Sequence, residues 1–177
     1  RQKLFIMESL YDDLINKLNL QTHPEGGYYK ETYRSKGIIE TSSLSQDIES
    51  ERNYSTAIYF LLAENQFSAF HKIKQDEIWH FYSGTTLLLH TINKEGEYKL
   101  IRIGQNLNNE EYFQYVVPAG TLFASEVEDK NSFSFCGCTV SPGFNFKDFT
   151  MPSRVDLIKT YPKHSEIILK LTHGNWF

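Results

Sequence analysis

The chain has 177 residues, a formal charge of −4 and a hydrophobic fraction of 40%, enough for one domain with a substantial core. Its lysines and arginines are scattered rather than clustered, so it carries no electrostatic footprint for a nucleic-acid backbone or an anionic lipid surface. No apolar run approaches the roughly 20 residues that cross a bilayer, and the start RQKLFIM is too short and polar for a secretory signal, so a cytoplasmic protein without nucleic-acid or membrane partners is expected.

Residues 1–8 are expected to be a disordered or cloning-derived leader, with Met7 as the natural start, and residues 9–177 a single domain. Ser9 followed by Asp12 resembles a capping box, and Leu10, Leu14 and Leu18 recur every four residues, which predicts an amphipathic helix from Ser9 to Asn19. The turn residues HPEGG (His23 to Gly27) break that pattern, and YYKETYRS begins a strand. Lys36 to Arg52, rich in Ser and Glu, reads as a long exposed loop. From Asn53 onward short bursts alternate apolar and polar residues: YSTAIYFLLA, SAFHKI, EIWHFYSG, TLLLHTI, YKLIRIG, YFQYVVPAG, TLFASEV and FSFCGCTV. Their even spacing between turn residues, together with thirteen Phe and eleven Tyr, predicts an all-β sandwich or barrel. Cys136 and Cys138 lie too close in one strand for an unstrained disulfide and read as reduced, buried thiols. Two short helical patterns separated by Pro162 close the chain as a helical cap.

The stretch FHKIKQDEIWHFYSG carries the chemistry. His71, with an ordinary pKa near ~6.5, can act as a general base oriented by Glu77, opposed by a tyrosine acid such as Tyr28, Tyr59 or Tyr82. The bland alternative is that His71 and Glu77 satisfy each other by hydrogen bonding inside a barrel. Trp79 and Phe81 share Glu77's face and are expected to line the same pocket. His80 lies an odd number of residues from Glu77, which points it away, although it remains a ligand-contact candidate. Glu25, between turn residues, can present its carboxylate at the barrel mouth. Arg34 is a candidate for binding an anionic group. His23, His90, His164 and His173 show no partner in the sequence and are expected to be structural or exposed.

These segments resemble the cupin superfamily. Its first motif runs glycine, five residues, His, one residue, His, three residues, Glu, six residues, Gly, and Asn65, His71, Ile73, Glu77 and Gly84 stand at those places. The second motif is matched at its centre by Pro118 and Gly120, with Phe123 and Val127 replacing its His and Asn. The ordered set HPEGGYYKETYRS, FHKIKQDEIWHFYSG, VVPAGTLFAS and GCTVSPGFNFKDF resembles the uncharacterised branch catalogued as cupin_5, over about Leu10 to Pro162. The resemblance implies a double-stranded β-helix, or jelly-roll sandwich, with an N-terminal helix and short C-terminal helices. The spacing agrees: residues two apart in a strand share a face, so His71 and position 73 aim together, and the strand returning after the turn at Lys74 to Asp76 brings Glu77 beside them. The metal-ligand set is incomplete, leaving His71 and Glu77 as holders of a weakly bound divalent ion, with Phe123 a ligand contact in place of the missing His.

The resulting expectation is a small-molecule-binding cupin of isomerase or epimerase type, acting on a sugar-like or carboxylate metabolite, with His71, Glu77 and Tyr82 as catalytic residues. A non-catalytic binding or storage-like cupin is the alternative, and a metal-dependent oxygenase the third reading. Sheet edges that need covering predict a homodimer.

Overall fold

The computed structural model describes residues 11–174. The expectations for residues 1–8, and the first turn of the helix expected from Ser9, lie outside them. Helix α1 runs over residues 11–18 and ends where Asn19 takes a left-handed φ of 54°, a conformation Asn tolerates at a helix C-terminus. Its periodic Leu14, Ile15 and Leu18 pack with Tyr11 against Leu61, Phe133 and Phe135.

The strands that follow are β1 (Gln21–Thr22), β2 (Tyr28–Arg34), β3 (Ile38–Ile39), β4 (Arg52–Asn53), β5 (Thr56–Leu62) and β6 (Phe67–His71). Then come β7 (Asp76–Gly84), β8 (Leu87–Ile92), β9 (Tyr98–Ile103), β10 (Gln114–Val117), β11 (Leu122–Val127) and β12 (Ser134–Ser141). They form a six-stranded sheet in the order β1-β2-β5-β12-β7-β10, a four-stranded sheet in the order β6-β11-β8-β9, and the small pair β3-β4. The two large sheets face each other around Phe60, Leu62, Trp79, Leu87, Leu89, Ile101, Ile103 and Phe123. The expected β-sandwich is present.

Both outer faces are partly covered, which explains why several strands lack clean alternation. Every residue of β11 is buried: Phe123 and Val127 face the inner core, while Leu122 and Ala124 face a second cluster with Leu157, Ile168 and Leu171. Those last residues belong to α2 (Arg154–Thr160) and α3 (Ser165–Lys170), the expected helical cap. Ser153 starts α2 by accepting the Asp156 N–H at 3.1 Å, satisfying one of the free amides of the first turn.

The 36–52 segment differs from an exposed loop. It holds β3, a 3₁₀ turn at Thr41–Ser43, and the buried residues Ile48 and Arg52. The Arg52 guanidinium is what anchors it: Nε and Nη2 each donate to Asp148 at 2.7 Å, and Nη1 donates to the carbonyls of Ser50 and Glu51. A serine-rich stretch reads as solvated because its buried arginine gains a partner only through a contact far away in sequence. Among the described residues no helix is long and apolar enough to cross a membrane.

Candidate functional site

His71 ends β6 in the four-stranded sheet and Glu77 is the second residue of β7 in the six-stranded sheet. They are therefore not hairpin neighbours, as the spacing alone suggests. The turn between them carries the chain from one sheet to the other, so the two side chains meet from opposite layers. Between the layers lies a cavity of about 480 Å³, lined by His23, Glu25, Tyr29, Ile58, His71, Ile73, Glu77 and Cys138, with Phe144, Phe146 and Phe149 over it. That volume suits a small-molecule ligand.

Glu25 is delivered by the HPEGG turn. Gly26 and Gly27 have φ of +116° and +76°, and a Cβ on Gly26 would sit 2.0 Å from the Phe67 carbonyl oxygen. No L-residue side chain fits there. The close approach lets the Ala69 N–H donate to the Glu25 carbonyl at 2.7 Å, stitching the turn to β6 and aiming the carboxylate inward. His173 supports the same carbonyl at 3.2 Å and stacks on Phe67.

The His71 ring is held on every side. Its faces meet Phe123, with ring centroids 4.1 Å apart, and Phe149, at 5.3 Å. Its Nδ1 lies 2.7 Å from the Ala69 carbonyl and its Nε2 2.9 Å from a Glu25 carboxylate oxygen. A carbonyl only accepts, so Nδ1 carries a proton, and Nε2 donates to the carboxylate. Burial alone would lower the His71 pKa, but Glu25, Ala69 and Glu77 outweigh it and raise it. Burial likewise favours neutral Glu25, but His71 wins and holds that carboxyl below the usual range. Both shifts favour the same arrangement, an imidazolium beside a carboxylate, joined by a charge-assisted hydrogen bond.

Glu77 is the unbalanced group. It is 8% exposed, with Val140 and Val117 opposite it on the neighbouring strands. Burial pushes its carboxyl up to about 7, with Glu25 adding to the rise while His71 and the Cys138 thiol oppose it. It therefore exchanges protons near neutral pH. Cys136 and Cys138 are free and buried, as expected, and burial beside Glu77 raises the Cys138 thiol well above its ordinary value.

Other expected site residues fall elsewhere. Tyr82 is 51% exposed and packs against Tyr59 and Phe135 on the outer face of the sheet, while Tyr28 and Tyr59 join the cluster under α1. None of these three lines the cavity. Tyr29 does, and the correction follows from strand parity: adjacent residues point to opposite faces, so choosing Tyr28 over Tyr29 chooses the wrong side. Trp79 and Phe81 do share Glu77's face, but Trp79 lies in the inter-sheet core, the partly buried Phe81 packs against that core, and neither lines the cavity. Trp79 instead packs edge-on to Phe60 and Phe123. His80 points away and its Nε2 meets the Thr139 hydroxyl at 3.0 Å. Phe123 reaches the site only through the His71 ring. Arg34 lines the cavity mouth, but its donors go to both Glu31 oxygens, Asn53 and the Phe144 carbonyl. It ties β2 to the roof of the cavity and is not a free anion receptor.

His23 was missed by the sequence reading. Its only signal there was its place in the same turn as Glu25. His90 is also paired, with Tyr98 at 2.8 Å and Glu126 at 3.1 Å, in a buried network completed by Lys130 and Lys170. That network lies under α3 on the outer face of the small sheet, away from the cavity.

The profile of the Cupin_5 family, described as Cupin superfamily (DUF985), matches residues 12–152. The chain belongs to this family. The uncharacterized protein YML079W of Saccharomyces cerevisiae is 33% identical over 160 residues, covering 85% of this chain and 79% of the yeast protein. The solved structure of protein SO0799 from Shewanella oneidensis shares 37% identity with a TM-score of 0.84, covering 93% of this chain and 98% of that one. A hypothetical protein from Leishmania major shares 31% identity with a TM-score of 0.83, covering 92% and 98%.

The cupin frame explains two backbone positions. Asn65, where the motif has glycine, takes a φ of +58°, and Gly84 takes +92°, with the space for its Cβ blocked 2.3 Å away by the Phe133 carbonyl. The metal-binding part of the motif does not carry over. Ile73 and Phe123 put hydrocarbon at two ligand places, and His71 has both nitrogens engaged. Among the described residues no group of three or more His, Cys, Asp or Glu is arranged to hold an ion. The donor set, as arranged, does not fit a tightly held transition metal.

Proposed function

We propose that this cupin binds a small, neutral, sugar-like molecule in the cavity and isomerises or epimerises it by proton transfer through Glu77. The observation that carries the reading is a buried carboxyl, poised near neutrality, on the wall of a ligand-sized cavity beside a fixed imidazolium. His71, with both nitrogens donating, has no lone pair to accept a proton. The base role therefore passes to Glu77, and His71 supplies positive charge that stabilises the anion formed when a carbon loses its proton. Ile58, Ile73, Phe146 and Phe149 offer apolar surface to the faces of a polyol chain or ring, while the charged groups address its hydroxyls. A neutral ligand is favoured over a carboxylate because the Arg34 guanidinium is already committed.

The test is proton exchange. The protein is incubated in D₂O with aldoses, ketoses and small hydroxy acids, and proton NMR follows loss of carbon-bound hydrogen next to the carbonyl. Deuterium entering at least one sugar-like compound only when protein is present is the expected result. Binding seen by saturation transfer with no exchange in any compound would replace this reading with a non-catalytic binding cupin.

The reading includes a homodimer. Strand β10 is an edge of the six-stranded sheet and leaves Tyr112, Phe113 and Val116 between 45% and 49% exposed on and beside it, apolar surface that a second copy would bury. Light scattering should give twice the chain mass at micromolar concentration, and Val116→Lys should shift it to monomer. A wild-type monomer would end this part of the proposal.

A further inference from the structure

The cavity contains a second histidine whose protonation geometry is set by the backbone. The N–H of Glu25 donates to Nδ1 of His23 at 3.2 Å. Nδ1 is therefore an acceptor, and in the neutral ring the hydrogen must sit on Nε2. The His23 side chain is 7% exposed and is packed by Tyr29 at 4.6 Å, Phe60 at 6.3 Å, and Phe146 and Phe149 at 6.1 Å. Burial lowers its pKa against the pull of Glu25, with His71 adding to the fall, so the ring stays neutral beside a cationic one. Its Nε2 has no hydrogen-bond partner among the described residues, yet it is not one of the polar atoms sealed away without a partner. It touches open space, and the space its ring lines is the cavity.

We infer that His23 is a neutral hydrogen-bond donor to a ligand carbonyl oxygen, so that the substrate class is an α-hydroxy carbonyl compound, a ketose or aldose in its open form. This rests on the proton-transfer reading above. In the step it implies, the Glu77 carboxylate takes the proton from the carbon next to the carbonyl. The C–H electron pair becomes the new C=C bond, and the carbonyl π pair moves onto oxygen, where the His23 Nε2–H meets it. Return of the proton on the same face to the former carbonyl carbon, as the neighbouring hydroxyl proton passes to the enolate oxygen, gives an isomer, while release of the Glu77 proton to water and delivery of a solvent proton to the other face of the first carbon gives an epimer, in both cases with no oxidant or reductant. A neutral donor suits this task because it stabilises the enolate oxygen without surrendering its own proton.

The test uses matched pairs that differ only at the carbonyl: erythrulose against erythritol, and dihydroxyacetone against glycerol, with binding measured by saturation-transfer NMR. The carbonyl member should bind about tenfold or more tightly, because a site built around a donor discriminates against the wrong partner. His23→Asn keeps an oxygen where Nδ1 accepts the Glu25 N–H but removes the outward donor. It should keep the melting temperature within a few degrees and erase the preference. His23→Gln, which places an N–H near the lost Nε2, should restore part of it. Equal binding of both pair members by the wild type, or an undiminished preference in folded His23→Asn, would overturn the assignment. Deuterium exchange that continues in either case would leave the Glu77 reading standing. If neither member of any pair binds and no compound exchanges, the proposed function fails and this inference falls with it.

Discussion

Asp148→Ala is expected to lower the stability of the fold by about 3–5 kcal/mol, because it leaves the Arg52 guanidinium buried without its counter-ion. The two side chains are 3% and 1% exposed, and both Asp148 oxygens accept from Arg52 at 2.7 Å. Gln75 donates to the same carboxylate at 2.6 Å and loses its partner too. For a chain of this size each kcal/mol moves the melting temperature by about 2–4 °C, so a fall of roughly 10 °C should be seen in a thermal melt. The site should suffer as well. Asp148 closes the 3₁₀ turn Phe146–Asp148, and that turn with its neighbours Phe144 and Phe149 roofs the cavity. Replacing both partners by apolar residues of similar size, Arg52→Met with Asp148→Leu, should cost far less than either single change, since no unpaired charge remains. A single-variant loss below about 1 kcal/mol would mean that the pair does not anchor the roof.

Acid should act on the same device. Burial favours protonated Asp148, but Arg52 and Gln75 outweigh it and hold the carboxyl below its ordinary value. A depressed carboxyl contributes stability above its unfolded pKa, and that contribution is lost as pH falls through the folded value. Glu126, held far down by His90, Lys130 and Lys170 despite burial, adds to the same acid limb.

Glu77→Gln is expected to move activity and stability in opposite directions. Exchange of carbon-bound hydrogen should fall by about 10²–10⁴-fold, the usual worth of a positioned acid–base group, because an amide cannot carry the proton. Stability should rise. With its carboxyl raised from 4.5 to about 7 in the folded state, Glu77 holds a proton between those values that the unfolded chain has already released. Its contribution therefore falls as pH rises through that window and levels off above it, by up to roughly 3 kcal/mol. Glutamine carries no charge to desolvate, so the gain over the wild type should be small near pH 5 and full near pH 8. Melting curves at the two pH values, run beside the exchange assay, check both halves. A variant that is less stable at pH 8 would place Glu77 among groups that hold the fold together rather than groups poised for chemistry.

The local sequence was enough for the β-sandwich, the flanking helices and the parity that groups Trp79 and Phe81 with Glu77 on one face of β7. Those features depend on short-range periodicity and turn residues: alternation in the β7 stretch, Leu spacing in α1, and positions such as Asn65 and Gly84 where the chain must turn with positive φ. Parity along β7 also sufficed to send His80 outward, and applied equally strictly it would have sent Tyr82 there too. Only the tertiary structure decided what the inward face meets. Trp79 and Phe81 line up with Glu77 in sequence, yet neither lines the cavity, because the Trp79 ring is packed edge-on by Phe60 of its own sheet and Phe123 of the opposite one. Glu25 and His23 stand some fifty residues before His71 and enter the site only because Gly26 lets their turn press against β6 and Gly27 lets it press against β5. With them the chemistry changes hands: a histidine that reads as a base becomes a paired cation, and the carboxylate expected to orient it becomes the group left to titrate. Protonation depends on distance and burial across the whole fold, and neither is written in the spacing of neighbours along one strand.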